Sequence, residues 1–281
     1  MSVITFWNYK KQETGKTMSL TAIATYMATE YNVKTLIIST TNKKDKIKNC
    51  YWKEEKKKVF DLGIFGPNKN ALETETGIRG LEKIIRSNKM APNLVTNYAK
   101  VVFKDRLEIL LGSEEKSAVE GEFEGYGKIQ ESYLEVINAA SEYYDRVFID
   151  LDYNVKPEIR EQIFKKSDII VVNLSQGLTC IKDLKENKQK NKLLKSPKTL
   201  LLIGRYDKTS KYNIKNVSRF LGEKNLILTV PYNTAFFEAV EEAGVPDMFL
   251  NFKRIREQDE NFFLQEIKRA TDNIIYRLQE I

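Results

Sequence analysis

The chain alternates between short, nearly continuous apolar runs and longer segments in which apolar residues recur every three or four positions. The short runs are rich in Val, Ile and Leu, which is typical of strands that helices cover on both faces. They predict seven strands, at residues 3–7, 35–39, 107–111, 146–150, 169–174, 199–203 and 226–230.

The longer segments have the period of amphipathic helices. They predict helices at residues 16–31, 78–87, 126–144, 157–166, 178–194, 214–221 and 234–243. Because predicted strands and helices alternate, we expect right-handed crossovers that connect parallel strands. The pattern therefore predicts an α/β fold with a mostly parallel central sheet flanked by helices, in a single domain that spans residues 1–281.

Two segments depart from this alternation. Residues 40–76 form an irregular segment in which a lysine run is followed by Gly, Pro and Asn, and long loops of this kind usually have a function. Residues 259–281 predict a C-terminal helix with an apolar face that includes Phe263, Ile267 and Ile274. This face could lie on a membrane, but its polar side lacks the basic bias of membrane-surface helices. We therefore favour packing on the sheet.

The bulk composition is that of a globular protein: 281 residues with 42% hydrophobic content are enough for a large core. No apolar run approaches the ~20 residues that a membrane-spanning helix needs. The first residues show no signal-peptide pattern, and the two cysteines, Cys50 and Cys180, fit a reducing compartment. We expect a cytoplasmic protein, with peripheral attachment to the inner face of the membrane as an alternative.

The sequence contains no histidine, and this removes several classes of enzyme chemistry. Ser-His-Asp triads, histidine general bases and His-containing zinc sites are all excluded. A cysteine nucleophile is not expected either, because no histidine is present to activate it. Chemistry performed by Lys, Thr, Asp, Glu, backbone amides and Mg²⁺ remains, and phosphoryl transfer is of that kind.

The sequence Thr14-Gly15-Lys16-Thr17 lies between the first predicted strand and the first predicted helix. Backbone N–H groups of such a turn converge on an anion at the positive end of the helix dipole. Lys16 can reach terminal phosphates, and the Thr17 hydroxyl can ligate Mg²⁺. The usual motif has Gly where this chain has Lys10, so an ordinary loop lysine is the alternative. The strand–turn–helix context favours the phosphate site.

Two acidic residues lie at the carboxyl end of the predicted strand 146–150. Asp150 ends the strand, and Asp152 lies two positions further on. A carboxylate in this place can hold Mg²⁺ directly or through water, although strand-end Asp residues also cap turns. Together with the phosphate turn, Asp150 is the favoured magnesium ligand.

Residues 11–17, Lys-Gln-Glu-Thr-Gly-Lys-Thr, resemble the deviant phosphate loop K-G-G-x-G-K-[ST] of the ParA/MinD ATPases. Residues 144–150 look like the family's strand YDxhhhD. Residues 167–172 resemble the family segment aDxhhhh, and residues 230–232, followed by Ala239 and residues 243–246, resemble the family's late segment hPyd…ea…G.p, in the same order. The openings at residues 5–7 and 105–110 look most like the pilus-assembly branch, the TadZ/CpaE proteins.

This resemblance implies a P-loop NTPase fold that binds ATP and Mg²⁺ and forms a homodimer around the nucleotide. The residues that would contact ATP are Lys11, Gln12, Glu13, Thr14, Gly15, Lys16, Thr17 and Met18. Lys11, Lys16 and Asp150 would take part in catalysis, and Thr17 and Asp150 would hold Mg²⁺. In the family a lysine at the place of Lys11 reaches the partner's phosphates, and a solvated surface lysine is the alternative. Pilus or secretion assembly proteins would be the partners.

The departures from the family pattern concern hydrolysis more than binding. Gln12 and Glu13 replace the two loop glycines, and a carboxylate beside a triphosphate is repulsive unless it points away. Residues 39–42, Ser-Thr-Thr-Asn, stand where the family has an Asp pair that positions the attacking water. Gly204 replaces the Asn that usually reads adenine. We therefore expect slow turnover or none.

Two lysine-rich runs leave further functions open. Residues 43–58 contain eight lysines and three acids, and residues 182–198 contain seven lysines and two acids. Either run could bind nonspecific DNA or an anionic membrane surface, and a solvated face is the simpler interpretation. The sequence thus leaves two rivals to a pilus-associated switch: a DNA-partitioning ATPase and a nucleotide-free scaffold.

Overall fold

A single eight-stranded sheet organises the part of the chain that the computed structural model describes, residues 1–42, 46–53, 77–87, 90–113, 122–188, 190–254 and 261–280. The strands lie in the order β3-β4-β2-β5-β1-β6-β7-β8, and all neighbouring pairs are parallel except β3 with β4. The strands are β1 (Ser2–Asn8), β2 (Thr35–Ser39), β3 (Lys100–Phe103), β4 (Leu107–Leu110), β5 (Arg146–Asp150), β6 (Ile169–Leu174), β7 (Thr199–Tyr206) and β8 (Leu228–Pro231).

Helices cover both faces of this sheet. They are α1 (Lys16–Glu30), α2 (Lys46–Tyr51), α3 (Ile78–Arg86), α4 (Leu94–Tyr98), α5 (Glu122–Tyr143), α6 (Pro157–Lys166), α7 (Leu178–Lys188), α8 (Ile214–Leu221), α9 (Thr234–Glu241), α10 (Val245–Arg254) and α11 (Phe262–Gln279). The predicted α/β fold with a mostly parallel sheet flanked by helices is confirmed.

The side chains of β1 show how the core is divided. Val3 and Trp7 belong to one buried cluster, whereas Ile4 and Phe6 belong to a second cluster on the other side of the sheet. The first cluster includes buried residues of α5, α6 and α7, and the second includes those of α1 and α11. This two-sided burial explains why the strands read as continuous apolar runs.

The C-terminal helix α11 packs on the sheet, as its apolar face predicted. Ile267 and Ile274 are fully buried in the second cluster, together with Phe263 and Ala270. Asn261 begins the helix, and its side-chain oxygen accepts a hydrogen bond from the Phe263 amide at 3.0 Å. None of the described helices is both long and apolar enough to cross a membrane.

All seven predicted strands are present, but several details differ from the prediction. The helix predicted over 178–194 ends at Lys188, and Leu193–Lys195 forms a separate 3-10 turn. The Asn191 side chain accepts a hydrogen bond from the Leu193 amide and so competes with helical hydrogen bonding. Strand β3 was not predicted. It is a short antiparallel strand at the edge of the sheet, joined to β4 by a tight turn in which Asp105 has a φ of 59°.

The predicted irregular segment 40–76 is described only in part. Residues 43–45 and 54–76 lie outside the described residues, as does much of the lysine run 43–58. The described part contains α2, whose residues Ile47 and Cys50 are fully buried. This short helix was not predicted, because lysines surround its few apolar positions.

Candidate functional site

The phosphate turn lies at the carboxyl end of β1, in the middle of the sheet. Gly15 is the N-cap of α1 and has a left-handed backbone, with φ 77° and ψ 16°. The amides of Lys16, Thr17 and Met18 precede the first intrahelical hydrogen bond, which the Ser19 amide donates to the Gly15 carbonyl at 2.8 Å. The first turn of α1 contains no acidic residue. The positive end of this helix is therefore available to an anion.

Hydrogen bonds within the loop fix its shape. The side-chain amide nitrogen of Asn8 donates to the Gln12 carbonyl at 2.9 Å, and the Thr14 hydroxyl donates to the Asn8 side-chain oxygen at 2.6 Å. The Gln12 and Thr14 amides donate to the carbonyls two residues earlier, at 2.8 and 3.1 Å. Thr14 is buried, and its hydroxyl is used in a hydrogen bond within the loop. Asn8 was not among the predicted site residues, although it is the first polar residue after an apolar strand.

Lys16, Thr17 and Asp150 form one cluster. The Lys16 ammonium lies 2.5 Å from one carboxylate oxygen of Asp150, and the Thr17 hydroxyl donates to the other at 2.8 Å. Lys16 also donates to the Leu151 carbonyl at 2.6 Å. Side-chain exposure is only 10% for Lys16 and 9% for Asp150, so the ion pair is shielded from water. The structure thus brings together three of the predicted site residues, Lys16, Thr17 and Asp150, whereas Lys11 lies outside this cluster.

Thr40, directly after β2, connects this strand to β5 at the carboxyl edge of the sheet. The Thr40 hydroxyl donates to the Asp150 carbonyl at 3.1 Å and accepts from the Asp152 amide at 2.8 Å. Asp152 in turn accepts a hydrogen bond from the Asn154 amide at 2.8 Å, which caps the turn. Thr40 therefore ties β2 to β5, and it supplies no carboxylate that could orient a water molecule.

The two neighbouring lysines of the loop have different environments. Lys10 pairs with Asp183 of α7, and this hydrogen bond raises the pKa of Lys10. Lys11 is exposed, lines the cleft beside the loop, and forms no ion pair with any described residue. Of the two cations, only Lys11 is available to a ligand or to a partner chain.

Glu13 lines the cleft and lies near Arg205. Its carboxylate lies 3.8 Å from the Arg205 guanidinium, and the two side chains are 78% and 56% exposed. A pair this exposed contributes little to stability, and salt screens it further. The carboxylate that departs from the family pattern is thus held mainly in solvent. Arg205 itself was not predicted, although a charged residue at the end of a buried strand was a visible signal.

Gly204 makes the close approach between β7 and the loop possible. A Cβ atom at this position would lie 2.2 Å from the Thr14 carbonyl oxygen and 3.0 Å from the Ser19 hydroxyl. The first distance is far below van der Waals contact, so any side chain here would displace the loop. Glycine at 204 is therefore required by the packing of this chain.

A cleft of about 360 Å³ joins these groups. Its walls are formed by the loop from Lys11 to Met18 and by the segment from Asp150 to Asn154, with Asn8, Thr41, Lys46 and Arg205 completing the lining. Among the described residues, no group of three or more acidic or cysteine side chains could hold a metal without further ligands. The oxygens of Thr17 and Asp150 fit Mg²⁺ whose remaining ligands are phosphate and water, which is the usual arrangement for this ion.

No protein-family model matches the chain, and no curated protein sequence matches it. Solved structures do share its fold. A ParA family ATPase from Chlorobium tepidum is 13% identical over 95% of each chain, with a TM-score of 0.66. The septum site-determining protein MinD from Pyrococcus horikoshii, complexed with Mg-ADP, is 16% identical over 98% of each chain, with a TM-score of 0.63.

A plasmid partition protein from Borrelia burgdorferi, bound to AMPPNP, is 17% identical over 100% of this chain and 99% of that one, with a TM-score of 0.59. Identities this low establish a common fold and no more. The chain therefore has the α/β fold of the ParA/MinD-type ATPases over almost its whole length.

Replacing Gly204 by alanine tests the close contact between β7 and the phosphate loop. Because the added methyl group meets the Thr14 carbonyl, we expect the free energy of unfolding to fall by about 1–3 kcal/mol. Gly177→Ala is the matched control, since its Cβ would meet only the Ser175 hydroxyl at 3.5 Å. Urea unfolding measures both variants. Equal stability of the two would show that the loop does not lie where the structure places it.

Proposed function

We propose that this protein is a nucleotide-dependent dimeric switch of the ParA/MinD type, which binds Mg-ATP in the cleft at Gly15–Thr17 and hydrolyses it slowly or not at all. The cluster of Lys16, Thr17 and Asp150 is the observation that carries this proposal. It combines a free helix N-terminus, a shielded cation and two oxygen ligands at one point. The fold shared with ATPases whose structures contain Mg-ADP or AMPPNP supports it.

The cluster suggests how the nucleotide acts. In the structure the Lys16 charge is neutralised by Asp150. A bound phosphate would attract Lys16, and Mg²⁺ would then compensate the charge of Asp150. Since Thr40 bonds the Asp150 and Asp152 backbone, movement at Asp150 would reach the ends of β2 and β5 together. This local change is the proposed trigger of the transition between two conformations.

Slow hydrolysis is proposed because none of the described carboxylates in the cleft is well placed as a base. The described carboxylates that line it are Glu13, Asp150 and Asp152. Asp150 is occupied by Lys16 and Thr17, Asp152 caps a turn, and Glu13 is largely in solvent. Binding needs only the cation, the amides and the magnesium ligands, so it does not depend on a base.

Lys11 is the proposed contact to a partner subunit. It is exposed at the rim of the cleft without an ion-pair partner among the described residues. A second copy of the chain could place this cation on the first copy's phosphates, and dimerisation would then depend on ATP. The proposed setting, positioning or assembly of a Tad-type pilus or secretion machine, rests on the likeness of residues 5–7 and 105–110 to the TadZ/CpaE branch.

Calorimetric titration with Mg-ATP tests the switch. We expect Lys16→Ala to weaken binding by about ten- to a hundredfold, because a charged hydrogen bond to phosphate contributes roughly 1.5–3 kcal/mol. Lys268→Ala, an exposed lysine on α11, is the control and should bind as the unmodified protein does.

Sedimentation of the same samples should show a dimer only with ATP, and Lys11→Ala should remain monomeric. If the protein binds no nucleotide, a nucleotide-free scaffold is the better description.

A second candidate, a DNA-partitioning ATPase, is favoured by the distribution of charge. Residues 178–225 contain 13 Lys and Arg but only 4 Asp and Glu, an excess of 9 that is larger than the formal net charge of +7 for the whole chain. This region comprises α7, β7 and α8, and the two helices pack together, with Lys185 lying over the Phe220 ring at 4.1 Å. The Lys10–Asp183 pair connects α7 to the phosphate loop.

Salt-dependent binding of duplex DNA distinguishes this candidate. We expect Lys182→Glu with Lys192→Glu to weaken binding and to reduce the slope of log affinity against log salt by about 2, because each lysine that neutralises a phosphate releases about one counterion. Lys165→Glu with Lys268→Glu makes the same charge change elsewhere on the surface. Fluorescence anisotropy at several salt concentrations measures both. Equal slopes, or no binding at low salt, would remove DNA as a ligand of this surface.

A further inference from the structure

A second cavity, of about 520 Å³, opens beside the phosphate cleft. Gly15, Met18, Lys46 and Arg205 line both spaces, so a ligand in one can extend into the other. Its wall is largely apolar and aromatic: Val230, Phe236 and Val240 are buried there, whereas Tyr232 and Phe237 are 57% and 52% exposed. Exposed aromatic rings around an apolar cavity suit a planar heterocycle.

Residue 204 cannot recognise such a group. Its Cβ would lie 2.2 Å from the Thr14 carbonyl oxygen, so neither an Asn nor any other side chain fits without moving the loop. The groups that contact a ligand in the second cavity must therefore come from other positions.

Arg205 is placed to contact a ligand in the second cavity. It has a left-handed backbone with φ 51°, unusual for a residue other than Gly, and it lies where the pairing of β7 with β8 shifts between Gly204 and Tyr206. Its Cγ lies 3.2 Å from where a Cβ of Gly15 would be, directly over the phosphate turn. Within the described part of the chain, the guanidinium has only the weak 3.8 Å contact with Glu13, so a ligand can recruit it.

Two side chains of the same cavity have buried oxygen atoms without a hydrogen-bond partner among the described residues. They are the Ser19 hydroxyl, on the first turns of α1, and the Asn49 amide oxygen, on α2. Asn233 is not equivalent, because its side-chain oxygen already accepts from the Phe236 amide at 2.8 Å. Polar atoms that are buried and unpaired are rare in proteins, and a ligand would satisfy them.

We propose that Arg205 and Asn49 hold the base of a bound nucleoside triphosphate, with Arg205 stacked on the ring and Asn49 bonded to its edge. This proposal rests on the proposed nucleotide site. Stacking on a guanidinium tolerates any base, and a side-chain amide can donate as well as accept. The site therefore distinguishes a nucleotide from bare triphosphate, and it discriminates little between adenine and guanine.

Calorimetric titration with ATP, GTP and inorganic tripolyphosphate tests the assignment. We expect the protein to bind ATP and GTP within about tenfold of each other, and both at least about tenfold more tightly than tripolyphosphate. Arg205→Lys keeps the charge but removes the planar group. It should reduce the ratio of ATP affinity to tripolyphosphate affinity by about tenfold, and Asn49→Ala should reduce it several-fold. Arg219→Lys, an exposed arginine on α8, is the matched control.

The outcomes separate this proposal from the one on which it rests. If tripolyphosphate binds but both variants keep the full preference for ATP, the assignment of the base site is wrong and the phosphate site stands. A preference for ATP over GTP greater than about tenfold would also overturn the assignment, because such a preference requires side chains whose hydrogen bonds are specific for adenine. If neither ATP nor tripolyphosphate binds, both proposals fail.

Discussion

The parallel pairing of β1 with β5 places Asp150 beside the strand that leads into the phosphate turn, and the rest of the site depends on this register. Phe6 lies opposite Asp150 in that pairing, so the acid at the end of β5 reaches Lys16 and Thr17 at the start of α1. Charges in so shielded a place interact strongly and cannot be left unpaired. Lys16 and Asp150 neutralise each other in the structure. In the proposed function, a phosphate would pair with Lys16 and Mg²⁺ with Asp150.

Close backbone contacts fix the positions of the loops that form the site. Gly204 and Gly112 each allow a carbonyl of a neighbouring loop to approach to 2.2 Å from where a Cβ would be, the former Thr14 and the latter Thr41. The loops after β1 and β2 are thus pressed against the ends of β7 and β4. Thr40 uses its hydroxyl to join β2 to β5 at this edge.

The sequence revealed the fold because burial on both faces produces apolar strands that are easily recognised, and Thr35–Ser39 and Ile169–Leu174 have the predicted bounds. It also predicted a turn at Gly15 between the first strand and the first helix, and Gly15 is the N-cap of α1. It did not reveal β3, whose four residues are only partly buried and depend on β4 for pairing. Arg205 was missed for a different reason: its importance comes from contacts with Gly15 and Glu13, which lie about 190 positions away along the chain and meet it only in the folded protein.

Hydrogen–deuterium exchange with and without Mg-ATP tests the central claim most directly, because it reports on the backbone amides that are proposed to hold the phosphates. The account predicts slower exchange in the peptide that contains residues 14–18 and in the segment from Asp150 to Asn154, with no such change in Lys16→Ala. Unchanged exchange at residues 14–18 under saturating nucleotide would contradict it. The turn between β1 and α1 would then be an element of the fold alone.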